Sequence, residues 1–236
     1  SWGSIFFDFT NNGWLDLYVN NQFLPNTLYK NTGEFPLNDV AAETNTQGLF
    51  GTGKVSYSSA VADVTGNGAI DLLVNDLGGK AQLFINHEGT KRNWIRFHVI
   101  GTHPNHHAIG ANVDTRIGDR WQYREIYAGG NTYTSQNELI VHVGAGDATH
   151  ADEIVVNWPG GSATRTLTNY PANRLWTIYH PDQLGDGNGD GVINVLDLLG
   201  LLGGWGTVQP GSEIYDMNGD GVINVMDLLM LLQNWG

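Results

Sequence analysis

Residues 186–197 read DGNGDGVINVLD and residues 216–227 read DMNGDGVINVMD, and nothing else in the chain limits its conformation as sharply. Each phrase puts an oxygen-bearing side chain at positions 1, 3, 5, 9 and 12 of a twelve-residue loop, with Gly at position 6 where the chain must turn tightly. In the first loop these are Asp186, Asn188, Asp190, Asn194 and Asp197, and Val192 adds its carbonyl at position 7. The second repeats the set with Asp216, Asn218, Asp220, Val222, Asn224 and Asp227. A hard divalent cation such as calcium takes six or more oxygens, and this spacing supplies them. Asp, Asn and Gly also build turns that hold no metal. Two loops that agree at every ligand position favour the ion. Position 12 is Asp rather than the longer Glu, so the helix leaving each loop is expected to begin close to the metal.

The charge distribution points the same way. Of the formal −13, residues 1–90 contribute nine acids and three bases, residues 91–181 seven and eight, and residues 182–236 eight acids and no base. Such a tail repels phosphate backbones and attracts cations, so nucleic acid is not an expected partner. After each loop comes a Leu-rich run, LLGLLGGWG and LLMLLQNWG, suited to a short helix, while HPDQLG and QPGSEIY before the loops are turn-like. Each unit is half an EF-hand, and two such halves bury their apolar faces by packing about a pseudo-twofold axis. Aligning 186–206 with 216–236 gives 16 identities in 21 positions, with differences at 187, 196, 200, 203 and 204. Positions 196, 200 and 203 form one helix stripe that faces solvent or a partner, and the repeated Leu and Trp positions are expected to form the core.

Two calcium loops, each followed by a helix, within residues 182–236 resemble a type I dockerin domain. The resemblance implies docking to a cohesin-like partner on a scaffold or cell surface. It assigns the contacts to loop positions 10 and 11 and to residues one turn into the helix: Val195, Leu196, Leu202 and Gly203 in one half, Val225, Met226, Leu232 and Gln233 in the other.

The first ninety residues repeat as well. FFDFTNNGWLDLYVNN and VADVTGNGAIDLLVND share the frame D-x-T-x-N-G-x-x-D, fifty-five residues apart, each followed by a strand-like apolar run. These residues resemble FG-GAP/VCBS repeats, the blades of integrin-like propellers. The resemblance makes Asp8, Thr10, Asn12 and Asp16 one calcium site and Asp63, Thr65, Asn67 and Asp71 another. Thr and Asn stand where that family carries carboxylates, which keeps oxygen donors but lowers charge and hence affinity. Asn-Gly is also a strong hairpin signal with no ion. Two blades cannot close a ring, so further blades are expected before residue 1, whose SWGSIFFDFT surroundings have no signal-peptide layout.

Between them, residues 91–181 alternate short strand runs with Gly-rich breaks, the signature of a β-sandwich. The order NWIRFHVIG, AIGANV, AGGNTYTSQ, VGAGDA, VVNWPGG, NYPANRLWTIY resembles the ASPIC/UnbV domain, which follows FG-GAP repeats in cartilage acidic protein-like and bacterial surface proteins. The expected fold is mainly β, with partial propeller blades (1–90), a sandwich (91–181) and a small helical EF-hand-like dockerin domain (182–236).

Catalytic chemistry is sparse. His103, His106 and His107 lack a metal-ligand spacing. Ser135, His142 and Asp147 have the letters of a triad but no nucleophile elbow. Trp121, Tyr127, Tyr133 and Trp158 make either a sugar platform or core. The chain has no cysteine and no run long enough to span a bilayer as a helix. The expectation is a non-catalytic, extracellular or cell-surface calcium-binding protein for adhesion or interaction, with a glycan or surface protein as ligand. The alternative is the accessory tail of a dockerin-bearing, polysaccharide-degrading enzyme.

Overall fold

A computed structural model describes residues 1–49, 51, 55–130, 132, 134–161 and 163–236. Among these residues the fold is mainly β, with two α-helices near the C-terminus. Among the described residues no helix is long and apolar enough to cross a membrane. The chain divides into two compact units, one of residues 1–94, 127–138 and 143–147, the other of 95–126, 139–142 and 148–236. The acidic C-terminal stretch thus shares a unit with most of the sandwich.

In the first unit, β1 (Gly3–Phe7), β2 (Asp16–Asn20), β3 (Thr27–Lys30) and β4 (Asn38–Asp39) form one antiparallel meander. A second contains β5 (Val55–Ala62), β6 (Asp71–Leu77) and β7 (Gln82–Phe84). Both D-x-T-x-N-G-x-x-D frames occupy the same place, the turn between first and second strands, where Phe7 pairs with Asp16 and Ala62 with Asp71. Strand alternation sends Ile5, Phe7, Tyr18 and Leu28 of one sheet and Leu72 and Val74 of the other, with Phe9 and Ile70 beside them, into one cluster. Each fully buried side chain of this size contributes about 1.5–3 kcal/mol.

The strands that follow are β8 (Asn93–Val99), β9 (Asn112–Ile117), β10 (Arg120–Glu125), β11 (Val141–Gly146), β12 (His150–Asn157), β13 (Thr164–Pro171) and β14 (Arg174–Ile178), with β9, β10, β12, β13 and β14 in the second unit. The sheets run β10-β9-β12-β13 and β11-β8-β14, and β14 lies parallel to β8. Along β12 Ile154 and Val156 are buried while Val155 and Asn157 are half-buried. Trp176 anchors the core, its indole donating to the Pro171 carbonyl at 2.9 Å and meeting the Tyr170 ring edge-on at 4.9 Å.

After the sandwich come α1 (Val195–Gly203), β15 (Gly206–Thr207), β16 (Val222–Ile223) and α2 (Val225–Gln233). Asn194 and Asn224 cap the helices, each in a reciprocal box with the Asp three residues on. Only single 3-10 turns, at Pro181–Gln183 and Glu213–Tyr215, precede the loops. The pseudo-twofold is visible in the backbone: Gly206 pairs with Ile223, and thirty residues away on both sides the Gly236 amide donates to the Ile193 carbonyl at 3.0 Å.

The expected core is only partly found. Leu201, Leu231 and Ile223 are fully buried, but Leu199, Leu202, Trp205, Leu229, Leu232 and Trp235 are 45–60% exposed. Two nine-residue helices offer each other one narrow stripe, and the remaining Leu faces stay outside. Nor does the 196/200/203 stripe face solvent throughout. Tyr215 lies over Gly187 and Gly200, where an added Cβ would come within 1.7 and 1.9 Å of its hydroxyl oxygen. Thirty residues before Tyr215 stands Gly185, packed near Met217, the counterpart of Gly187. Large and small residues are thus exchanged across the axis. Gly200→Ala would stabilise an unobstructed helix by about 1 kcal/mol, but here it should lower the melting temperature of the chain and recover in a Tyr215→Ala background. A simple rise on Gly200→Ala would contradict this packing.

Candidate metal centres

In the first C-terminal loop the Asp186 carboxylate accepts the amides of Gly189 (2.8 Å), Asp190 (3.2 Å) and Gly191 (2.9 Å). Asp197, at the third helical position, folds back to accept the amides of Gly187 and Asn194 at 2.9 Å each. The loop thereby closes on itself with its last third already helical. Donor groups turn inward: the Asn188 amide donates to Asp190 Oδ2 at 2.8 Å and the Asn194 amide to the Val192 carbonyl at 3.2 Å. The second loop repeats these bonds, Asn218 to Asp220 at 2.9 Å and Asn224 to Val222 at 3.1 Å, with Asp227 capping Met217 and Asn224 at 2.9 Å each. The donor set fits calcium, whose ligands are carboxylates, amide oxygens and a main-chain carbonyl. Among the described residues no three His, Cys, Asp or Glu side chains cluster as a metal site by themselves. The Asn and carbonyl oxygens are integral to each set.

The loops differ in surroundings. Asp186 is half-buried and Gly189 and Gly191 are exposed, whereas Asp216, Gly219 and Gly221 are buried. Burial raises the Asp216 pKa, opposed by a hydrogen bond from the Tyr170 hydroxyl at 2.6 Å.

The blade loops use their carboxylates as hairpin closures. Asp8 accepts the amides of Asn12 (3.1 Å) and Gly13 (2.6 Å) and the Thr10 hydroxyl (3.5 Å). Asp63 accepts those of Asn67 (3.0 Å) and Gly68 (2.8 Å), with Thr65 exposed. Asp16 accepts the Phe9 and Asn31 amides, and Asp71 those of Val64 and Asn86. Asn12 and Asn67 each accept the amide two residues on, at 2.8 Å. In the first blade Asp8 and Asp16 are both at most 2% exposed. Burial, with the nearby Asp8 charge, lifts the Asp16 carboxyl to about 7.

All eight partner-contact candidates, Val195, Leu196, Leu202, Gly203, Val225, Met226, Leu232 and Gln233, are exposed. Leu199 and Leu229 complete the same stripes, at 60% and 49% exposure. Their signal was the i, i+3, i+4 spacing from the positions already named. His103, His106 and His107 lie on an exposed turn. The Ser135 hydroxyl is engaged with Thr132 at 2.5 Å. Burial beside Arg96 and Arg124 holds the His142 ring neutral, at about 3, too weak a base to activate a hydroxyl near neutral pH. Of the aromatic candidates, Trp158 is core, donating to the Ile100 carbonyl at 3.0 Å, while Trp121 and Tyr127 are exposed. Tyr133 lies outside the described residues.

Three family models match the chain: FG-GAP-like repeat over residues 8–74, ASPIC and UnbV over 101–185, and Dockerin type I domain over 184–235. The chain carries these three regions in that order. No curated protein matches it. Type I dockerin domains typically bind calcium, and both dockerin loops lie within the matched residues. The FG-GAP match spans both blade frames, and the ASPIC/UnbV match runs from the turn after β8 to the start of the first dockerin loop.

The buried FG-GAP carboxylate has a measurable consequence. Its folded pKa lies above the unfolded value, so the protonated form favours folding below about pH 4, and that contribution is lost as pH rises through about 7. In chelator, the stability of wild type relative to Asp16→Asn should fall between pH 4 and 7 and be flat above. A difference independent of pH in denaturant titrations would contradict the buried assignment.

Proposed function

We propose that this chain is the docking end of a non-catalytic, extracellular adhesion or interaction protein, attached to a cohesin-type partner through its dockerin region. In this reading calcium occupies residues 186–197 and 216–227 and holds the two helices in register. The ion offsets the mutual repulsion of a segment with eight acids and no base. The blade loops hold calcium more weakly, since each offers two carboxylates and each dockerin loop three.

One observation carries the reading. Val195, Leu196, Leu199 and Leu202 on α1, and Val225, Met226, Leu229 and Leu232 on α2, are 47–60% exposed. Two matched apolar stripes in so acidic a segment are the kind of surface a protein partner covers. Their near-identity supports docking in two orientations related by about a half-turn. The apolar centre makes the contact less salt-sensitive than the charge of the segment suggests.

Binding to an immobilised panel of cohesin domains should require calcium. Leu196→Asp and Met226→Asp should each retain binding, and the double variant, checked for folding in calcium, should lose it. Binding that survives chelation, or its absence with every cohesin from folded wild type, would overturn the proposal. By calorimetry, Asp186→Ala with Asp216→Ala should remove the tighter calcium sites and Asp8→Ala with Asp63→Ala the weaker ones. Equal losses would contradict the ranking.

A further inference from the structure

Among the described residues, the second dockerin loop is hydrogen-bonded to the sandwich and the first is not. From β13, the Thr168 amide donates to the Gly219 carbonyl at 2.7 Å, continuing the sheet edge onto the loop. The Tyr170 hydroxyl donates to Asp216 Oδ2 at 2.6 Å, and the Arg165 guanidinium donates to the main-chain carbonyls of Asp216 and Glu213. The Glu213 carboxylate in turn accepts the Thr177 amide of β14 at 3.0 Å. Contact is close enough to exclude a methyl group: a Cβ on Gly219 would lie 2.3 Å from the Thr166 carbonyl oxygen, whereas Gly189, its counterpart, has open space. Both glycines have the same left-handed backbone, φ +77° and +72°.

We infer that Tyr170 is a positioning residue for calcium in the second dockerin loop, so that ion binding at 216–227 and docking of that loop on β13 are one coupled event, to which 186–197 contributes no bond. The inference rests on the calcium reading proposed above. Asp216 is the position-1 ligand, and its Oδ2 has two donors, Tyr170 and the Gly221 amide at 3.1 Å. Asp186 Oδ2 has the Gly191 amide as its equivalent donor at 2.9 Å, and the nearby Tyr215, which lies over Gly187, is not hydrogen-bonded to it. A neutral hydroxyl fixes the orientation of a ligating carboxylate without adding charge that would compete with the ion. Arg165 acts in the opposite sense. Its buried positive charge opposes a nearby cation, but it bonds main-chain carbonyls and serves to hold the loop on the sheet. Removing the Tyr170 hydroxyl therefore subtracts a favourable contribution alone. Coupling is reciprocal, so calcium must also strengthen the junction with the sandwich.

The test uses the full chain and calcium itself, followed by the NMR resonances of Gly191 and Gly221, whose amides donate to the two position-1 carboxylates. Tyr170→Phe should weaken calcium at the second loop by about tenfold or more and leave the first within about twofold, the limit of such titrations. Gly219→Ala should cost the second loop more affinity than Gly189→Ala costs the first, because backbone strain is common to both and the clash is not. Hydrogen exchange at the Thr168 amide should slow on adding calcium in wild type and not in Tyr170→Phe. Equal affinities for wild type and Tyr170→Phe at the second loop, or equal losses at both loops, would overturn the inference and leave the calcium reading standing. Failure of calcium to move either resonance in wild type would overturn both.

Discussion

All four acidic loops are organised by the same bond. The first Asp accepts the amide of a glycine five residues on: Asp8 from Gly13 at 2.6 Å, Asp63 from Gly68 at 2.8 Å, Asp186 from Gly191 at 2.9 Å and Asp216 from Gly221 at 3.1 Å. All four glycines sit at φ between +80° and +85°, where a side chain would be strained. That conformation swings the amide inward so that a charged acceptor can take it. A carboxylate has about four acceptor positions, so the bond does not consume it. On the proposed reading, turn and cation site are therefore one geometry serving two purposes.

What separates the loops is their environment. In the first FG-GAP frame two carboxylates are nearly inaccessible, and burial makes the ionised form costly. Asp16 responds by holding its proton to about pH 7. In the dockerin loops Asp190 and Asp220 stay exposed, so water screens them and the demand for a cation comes from the number of acids. Burial acts in both kinds of loop, on Asp8 and Asp16 in the first blade and on Asp197, Asp216 and Asp227 in the dockerin region, where the exposed Asp190 and Asp220 add charge at the surface.

Features carried by short spacing were legible in the sequence. The strand alternation of β12, the helix after each dockerin loop and the hairpin position of both FG-GAP frames all depend on residues within a dozen positions of one another. Features that depend on distant contacts were not. Tyr170 and Asp216 are forty-six residues apart, and nothing in the NYPANRLWTIY segment distinguishes a core tyrosine from one that serves a loop. Trp158 and Trp121 lie on similar strand patterns, yet one is 3% and the other 49% exposed: the first meets the His180 ring edge-on at 5.1 Å and bonds the Ile100 carbonyl, and the second stands on an edge strand. The helix core was misjudged for want of a partner surface: repeated Leu positions imply burial only when enough neighbouring structure exists to bury them. Gly187 and Gly200 did leave a trace. Extending the repeat alignment one residue upstream pairs Gly185 with Tyr215, an exchange that announces a missing side chain elsewhere.

The pseudo-symmetry of the dockerin region is thus broken at its loops and kept at its helices. Tyr215 and Met217 take unequal places, and the sandwich holds only the second loop, while the four pairs of stripe residues on α1 and α2 differ in exposure by at most 11 percentage points. A partner would meet two nearly equivalent faces, but the sandwich remains tied to the same loop whichever face is engaged. Exchanging one face for the other then turns the sandwich by about a half-turn relative to the partner. Had the region hung on a free linker, the two orientations would be indistinguishable to the rest of the chain. Fastened through Thr168, Tyr170 and Arg165, they become two distinct arrangements, and the joint at the second loop transmits that difference to the sandwich.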